Sequence, residues 1–97
     1  MRAEDSSVIT TEQLAENVRK LVEQLDRELP TLPAGVQEQS REVLAELRAA
    51  ATALAPDASR LRRGLESLKH VMEHATGHLV ATGVLTLIAQ LLAHLPN

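Results

Sequence analysis

The sequence contains no aromatic residue and no cysteine, and it has four glycines and four prolines among its 97 residues. Without Phe, Tyr or Trp, a chain cannot stack nucleic-acid bases on aromatic rings or build an aromatic wall for a cofactor. Without cysteine, it cannot form a disulfide framework, a thiolate zinc site or a cysteine nucleophile. The scarcity of glycine and proline favours helices, because these two residues interrupt them.

The residues that are present make an aliphatic, mildly acidic chain of the size of one small domain. Leucine, alanine and valine occur 17, 14 and 8 times, and the formal net charge is −3. Basic residues are too few to form the positive patch of a nucleic-acid binder, so we expect no nucleic-acid partner. Because leucine and alanine are strong helix formers, the composition predicts an all-α fold.

Capping and breaking signals divide the chain into three predicted helices. Thr10 is the N-cap of the first helix, and Gln13 completes a capping box with it. Pro30 and Pro33 end this helix, and Asp57 is the N-cap of the third. We expect residues 1–9 to be a disordered lead and residues 10–97 to be a single helical domain, with helices at about 11–29, 34–55 and 58–95.

Apolar residues recur at helical spacing in each predicted helix, which indicates one buried face per helix. In the first helix this stripe consists of Leu14, Val18, Leu21, Val22, Leu25 and Leu29. In the second it consists of Val36, Ser40, Val43, Leu44, Leu47, Ala51 and Leu54. The third begins with the stripe Leu61, Leu65, Leu68, Met72, Ala75 and Leu79, but its later part is apolar on all sides.

The last quarter of the chain is free of charge, since no Asp, Glu, Lys or Arg follows Glu73. A helix that is apolar all round is buried in protein or in lipid. The two narrow apolar stripes of the first and second helices cannot cover the third helix, so we predict self-association. We expect the third helix to bend at Gly77 or Gly83. The predicted association surface consists of Leu79, Val84, Leu85, Ile88, Leu91, Leu92 and Leu95.

Membrane insertion of the same segment is the alternative. The uncharged run from Leu79 to Leu95 would form a helix of about 25 Å, against a hydrocarbon layer of about 30 Å. It lacks the Trp and Tyr residues that anchor spanning helices at the interface.

A basic flank precedes the uncharged run and consists of Arg60, Arg62, Arg63 and Lys69. The favoured interpretation is a solvated helix face, in which Arg62 pairs with Glu66 at i,i+4. The alternative is an anchor at the cytoplasmic side of a membrane.

The sequence offers little for metal binding or catalysis. His70 and His74 are spaced so that two imidazoles can share a metal ion. His78 is rotated from His70 by about 80° around the helix, and no Asp or Cys completes a ligand shell. We therefore predict no metal site, and His70 and His74 remain weak candidates. No nucleophile elbow and no glycine-rich phosphate loop is present, so we predict no enzyme and no cofactor.

Residues 59–85 resemble terminal helical segments of small bacterial proteins associated with abortive infection and conflict systems. In those segments an L-x-S-L-x-x-[VIL]-x-E start leads into an apolar helix that contains glycine. The matching residues are Leu65, Ser67, Leu68, Val71, Glu73, Gly77, Leu79 and Gly83, whereas His70, His74 and His78 depart from the pattern. The resemblance implies an effector-associated or oligomerising helix of a bacterial protein.

Together these features predict an all-α arrangement of three helices with a long, apolar C-terminal helix in an oligomer. The predicted function is a non-enzymatic helical interaction module of a bacterial defence or conflict system. Its expected partner is a second copy of the chain or a helical protein. The alternative is a membrane-inserting effector or anchor. The expected location is the cytoplasm, or the inner face of the membrane in the alternative.

Overall fold

Four α-helices joined by short connections make up the fold. The structure, a computed structural model, describes residues 10–75 and 77–94. The helices are α1 (Thr11–Glu28), α2 (Ala34–Thr52), α3 (Ala58–Glu73) and α4 (Leu79–Ala93), and a 3₁₀ turn (Leu29–Thr31) follows α1. The all-α prediction is confirmed, whereas the three-helix arrangement is wrong. The predicted disordered lead lies outside the described residues.

The predicted capping box begins α1. Thr10 Oγ1 accepts a hydrogen bond of 3.1 Å from the Gln13 amide, and Gln13 Oε1 accepts one of 3.0 Å from the Thr10 amide. The first helix ends at the predicted prolines: Pro30 lies in the 3₁₀ turn, and Pro33 precedes the first residue of α2. A proline has no amide hydrogen and so cannot continue a helical hydrogen-bond ladder.

The connection between α2 and α3 is longer than predicted. Helix α2 ends at Thr52, and Leu54, which was predicted to belong to its buried stripe, is fully exposed in the connection. The predicted cap of α3 is confirmed, since Asp57 Oδ1 accepts a hydrogen bond of 2.9 Å from the Ser59 amide.

The predicted third helix is broken between His74 and His78. Gly77 has a φ angle of +92°, a backbone conformation that L-residues with side chains rarely adopt. The amides of His74 and Ala75 bond to carbonyls three residues back, at 3.1 and 3.0 Å, which tightens the last turn of α3. A single helix over 58–95 is therefore wrong. The chain turns at Gly77, one of the two predicted bend positions, and α4 packs back against α3.

The His78 side chain fixes the start of α4 with both of its ring nitrogens. Nδ1 accepts a hydrogen bond of 3.3 Å from the Val80 amide and so caps the helix. Because Nδ1 is an acceptor, the ring hydrogen is on Nε2, which lies 2.7 Å from the Thr31 carbonyl oxygen and donates to it. This one side chain therefore joins α4 to the turn that follows α1.

Replacing His78 is expected to loosen this end of α4. His78→Ala removes the cap and the tie to Thr31, each worth about 1 kcal/mol, so the free energy of unfolding should fall by about 2 kcal/mol. His78→Asn is the matched control, because asparagine can cap but is too short to reach Thr31, and it should lose about half as much. Urea unfolding measures both. Equal losses in the two variants would show that the cap contributes nothing.

The core is aliphatic and is shared by all four helices. Helix α2 packs against α1 and α3, and α4 packs against α3 and α1. The large side chains with less than 2% exposure include Leu14, Val18, Val22, Leu25, Leu47, Leu61, Leu65, Leu68, Met72 and Ile88. Each such side chain contributes about 1.5–3 kcal/mol by its removal from water.

Gly64 allows α3 to approach α2 closely in this core. A Cβ atom at this position would lie 2.5 Å from Leu47 Cδ2 and 2.9 Å from Leu47 Cγ. Among residues 10–75 and 77–94, the core holds one polar side chain: Ser40 is fully buried, and its Oγ has no hydrogen-bond partner there. The buried interior is thus set by shape and not by polar contacts.

Candidate association surface

Helix α4 does not present its predicted face to solvent. Val84 and Ile88 were predicted to lie on the association surface, but they are 3% and 0% exposed and belong to the core. This part of the prediction is wrong because the turn at His74–His78 folds α4 back on the same chain. Its face with Ala81, Val84 and Ile88 then packs against α1 and α3.

The other predicted association residues have different environments. Leu79 is 88% exposed and, with Leu54 and Leu87, is one of three exposed large apolar side chains among the described residues. Leu85, Leu91 and Leu92 are half-buried against the core. Leu95 lies outside the described residues. Accessible apolar surface therefore remains on α4, on both sides of its buried face.

A groove between α1 and α4 is lined by two of these residues, Leu79 and Leu91. It consists of two adjoining hollows of about 280 and 250 Å³, which share Gln24 of α1 and Leu87 of α4. The wall from α4 is formed chiefly by residues four apart, namely Leu79, Gly83, Leu87 and Leu91. Residues at this spacing lie on one helix face. These four residues form the candidate association surface.

Leu87 belongs to this surface, although it was not among the predicted association residues. Its side chain is 36% exposed and lies where the two hollows join. The i+4 spacing from Leu79 through Leu87 to Leu91 was the signal that could have identified it. That signal becomes readable once α4 is known to begin at Leu79.

The exposed part of α4 is uncharged. Its solvent-facing residues, besides Leu79 and Leu87, are Thr82, Gly83, Thr86, Ala89, Gln90 and Ala93. Exposed residues of α1, α2 and α3 include many acidic and basic side chains. Among the described helices, α4 is thus the one whose outer face can be covered without removing a formal charge from water.

The membrane alternative depended on one long apolar helix. Across residues 10–75 and 77–94, no helix combines the length and the apolarity that crossing a membrane requires. Helix α4 has 15 residues, and a helix of that length measures about 22 Å.

The histidines do not converge on one point. The rings of His70 and His74 make an edge contact with centroids 5.4 Å apart, and His70 Nδ1 lies 3.8 Å from a Glu73 carboxylate oxygen. His78 faces Thr31 instead. Within the described part of the chain, no three His, Cys, Asp or Glu side chains are grouped so that they could hold a metal ion.

The basic flank divides into paired and unpaired side chains. Lys69 Nζ lies 4.0 Å from a Glu73 carboxylate oxygen. The expected pair of Arg62 with Glu66 is not among the ion pairs of the described residues. Arg60 and Arg63 line a second groove, between α2 and α3.

Comparison with known proteins adds no relative to this description. The chain matches no protein-family model, and neither the curated proteins nor the solved structures contain a significant match to it.

Proposed function

We propose that the chain is a non-enzymatic helical interaction module that pairs with a second copy of itself through the uncharged face of α4. The observation that carries this proposal is the exposed Leu79 beside the α1–α4 groove, on a helix without a charged side chain. Burial of one exposed leucine side chain contributes about 1.5–3 kcal/mol, and a symmetric contact buries the same leucine of both copies.

A second copy suits this face better than a charged partner does. In a two-fold contact the same patch meets itself, so α4 would lie against α4. Residues 74–94 contain no formal charge, so a contact of α4 with α4 buries no ion from this helix; the charged side chains of the α1–α4 groove, Lys20 and Glu28, belong to α1 and are exposed. Small residues such as Gly83 and Ala89 allow two helices to approach closely.

The small accessible area of α4 favours a transient dimer over a permanent one. Helix α4 is about 22 Å long, and part of its surface is already used within the chain. Contacts of this size fall at the low end of specific interfaces, below about 1,200 Å² in total. We therefore expect an equilibrium between monomer and dimer, with a dissociation constant of micromolar order.

Leu87→Glu is expected to abolish this dimer and leave the fold intact. The side chain is partly exposed in the monomer, so a glutamate there reaches water, but in the dimer its charge would be buried. Light scattering at about 100 µM, well above a micromolar dissociation constant, should change from dimer to monomer mass. The matched control is Leu54→Glu, which adds the same charge at an exposed leucine away from α4 and should keep the dimer mass.

Two results would contradict the proposal. One is a wild-type chain that stays monomeric at this concentration. The other is co-sedimentation of a monomeric wild type with lipid vesicles that Leu87→Glu abolishes, which would assign the same face to a lipid surface.

The resemblance of residues 59–85 to segments of conflict-system proteins favours a specific use for such a dimer. We propose that pairing through α4 brings effector-associated chains together in a bacterial defence system. Two of the matching residues, Leu79 and Gly83, line the α1–α4 groove, so the resemblance overlaps the proposed contact. A pull-down from a bacterial lysate with wild type and Leu87→Glu in parallel tests this role, and an effector protein should be retained by the wild type alone.

A further inference from the structure

A second groove lies between α2 and α3, and four of its six lining residues have polar side chains. Its volume is about 390 Å³, and it is lined by Glu46 and Ala50 of α2 and by Arg60, Arg63, Gly64 and Ser67 of α3. The α3 residues are spaced at i, i+3, i+4 and i+7, which places them on one helix face. Gly64 lies between the two arginines and Ser67 on this face, and the Leu47 side chain fills the space where a Gly64 side chain would lie.

The arginines of this groove have no partner within the described part of the chain. No carboxylate of the described residues lies within 4 Å of the guanidinium group of Arg60, Arg62 or Arg63. Glu46 lines the same groove but forms no ion pair with them. All three arginines are exposed, so their guanidinium groups are accessible to an anion from outside the chain.

The position of these arginines in α3 strengthens the inference. All three lie in the first two turns of the helix. The amide groups at a helix N-terminus carry partial positive charge, so cationic side chains there are destabilising. The Asp57 carboxylate that caps α3 offsets part of this repulsion, and the repulsion falls off beyond the first turn, so it acts mainly on Arg60. Local costs of this kind are typical of functional sites, where a ligand supplies the compensation.

We propose that the α2–α3 groove binds a small phosphate monoester. The forks of Arg60 and Arg63 and the hydroxyl of Ser67 donate hydrogen bonds to the phosphoryl oxygens, an arrangement that matches the planar geometry of guanidinium groups. Glu46 accepts a hydrogen bond from a hydroxyl or ammonium group on the rest of the ligand. The volume of the groove lies within the range of small-molecule sites. This site is independent of the proposed dimer contact, which α1 and α4 form.

The test measures thermal unfolding of the full chain with O-phosphoethanolamine, inorganic phosphate or sodium chloride at equal ionic strength. A ligand that binds the native state raises the midpoint. We expect O-phosphoethanolamine, at ten times a millimolar dissociation constant, to raise the midpoint of the wild type by about 7 °C over sodium chloride. Inorganic phosphate should have a smaller effect, because it offers nothing to Glu46, and Glu46→Gln should remove the difference.

Two adjacent single variants separate a site from general charge effects. Arg63→Gln and Arg62→Gln each remove one cation from the same turn of α3, but Arg63 lines the groove and Arg62 does not. In sodium chloride both variants should unfold within a few degrees of the wild-type midpoint, because both arginines are exposed and lie beyond the first turn of α3. Arg63→Gln should lose the response to phosphate, while Arg62→Gln should keep it.

Three outcomes would overturn the proposal. The wild type could respond equally to chloride and to both phosphates at matched ionic strength. Arg62→Gln could lose the response as fully as Arg63→Gln, which would show screening of charge and no site. The wild type could bind vesicles with phosphatidic acid without responding to O-phosphoethanolamine, which would assign the phosphoryl group to a lipid. If Arg63→Gln does not fold, Ser67→Ala carries the same expectation of a lost response.

Discussion

Replacing Ile88 with glutamate is expected to unfold the protein. Ile88 is 0% exposed and lies in the core cluster, on the face of α4 that packs within the chain. Loss of the isoleucine side chain costs about 2–5 kcal/mol, and burial of an unpaired carboxylate costs several kcal/mol more. This sum is comparable to the whole stability of a small domain, about 5–15 kcal/mol. Far-ultraviolet circular dichroism should show the loss of helix.

The neighbouring Leu87→Glu variant is the control for this experiment, since it makes the same change one residue away on the partly exposed side of α4. It should retain its helix content. If Ile88→Glu instead gave folded monomers, the intramolecular packing of α4 would be wrong. Ile88 would then belong to a contact between chains, as the sequence pattern predicted.

Gly64→Val is expected to have the second-largest effect. The first atom of any side chain at this position meets Leu47, which is fully buried and cannot move aside freely. Overpacking of a core costs about 1–3 kcal/mol and sometimes more. Valine recovers a few tenths of a kcal/mol of helix propensity over glycine, which is too little to compensate. The midpoint of thermal unfolding should therefore fall by about 5–15 °C.

Gly35→Val is the matched control, because Gly35 also lies in a helix, as the second residue of α2, but has no atom within 4 Å of the point that a Cβ would occupy. We expect its stability to stay within about 0.5 kcal/mol of the wild type, as for other surface changes. A similar loss in both variants would show that valine disfavours these helices in general. The close approach of α2 and α3 would then not be the cause.

Local signals in the sequence predicted the beginnings of three helices correctly. The Thr10–Gln13 box and the Asp57 cap each use side chains within three residues of the amides that they satisfy. Interactions of this range can be read from sequence. The break between α3 and α4 was harder to predict, because its clearest local signal is a single glycine, Gly77. The contact that holds it joins His78 to Thr31, which is 47 residues away.

The same break explains why the association surface was only partly predicted. The uncharged character of α4 follows directly from composition, whereas Leu79, which the sequence placed on the buried stripe of the third helix as well as on the association surface, is 88% exposed. The rotational positions of Val84 and Ile88 were counted from His70 along an unbroken helix. The non-helical residues between α3 and α4 reset that rotation and turn these two side chains into the core. Periodicity fixes a face within one helix, but not across a turn.

The antiparallel contact of α1 with α4 has a consequence for fusion proteins. The first half of α1 lies beside the end of α4, through Asn17 and Gln90, while the end of α1 lies beside the start of α4, through Glu28 and Leu79. Thr10 and His94 therefore lie at the same pole of the bundle. A reporter domain joined directly to Thr10 or to His94 would extend from that pole, and the pole with the Thr31–His78 tie would stay unobstructed.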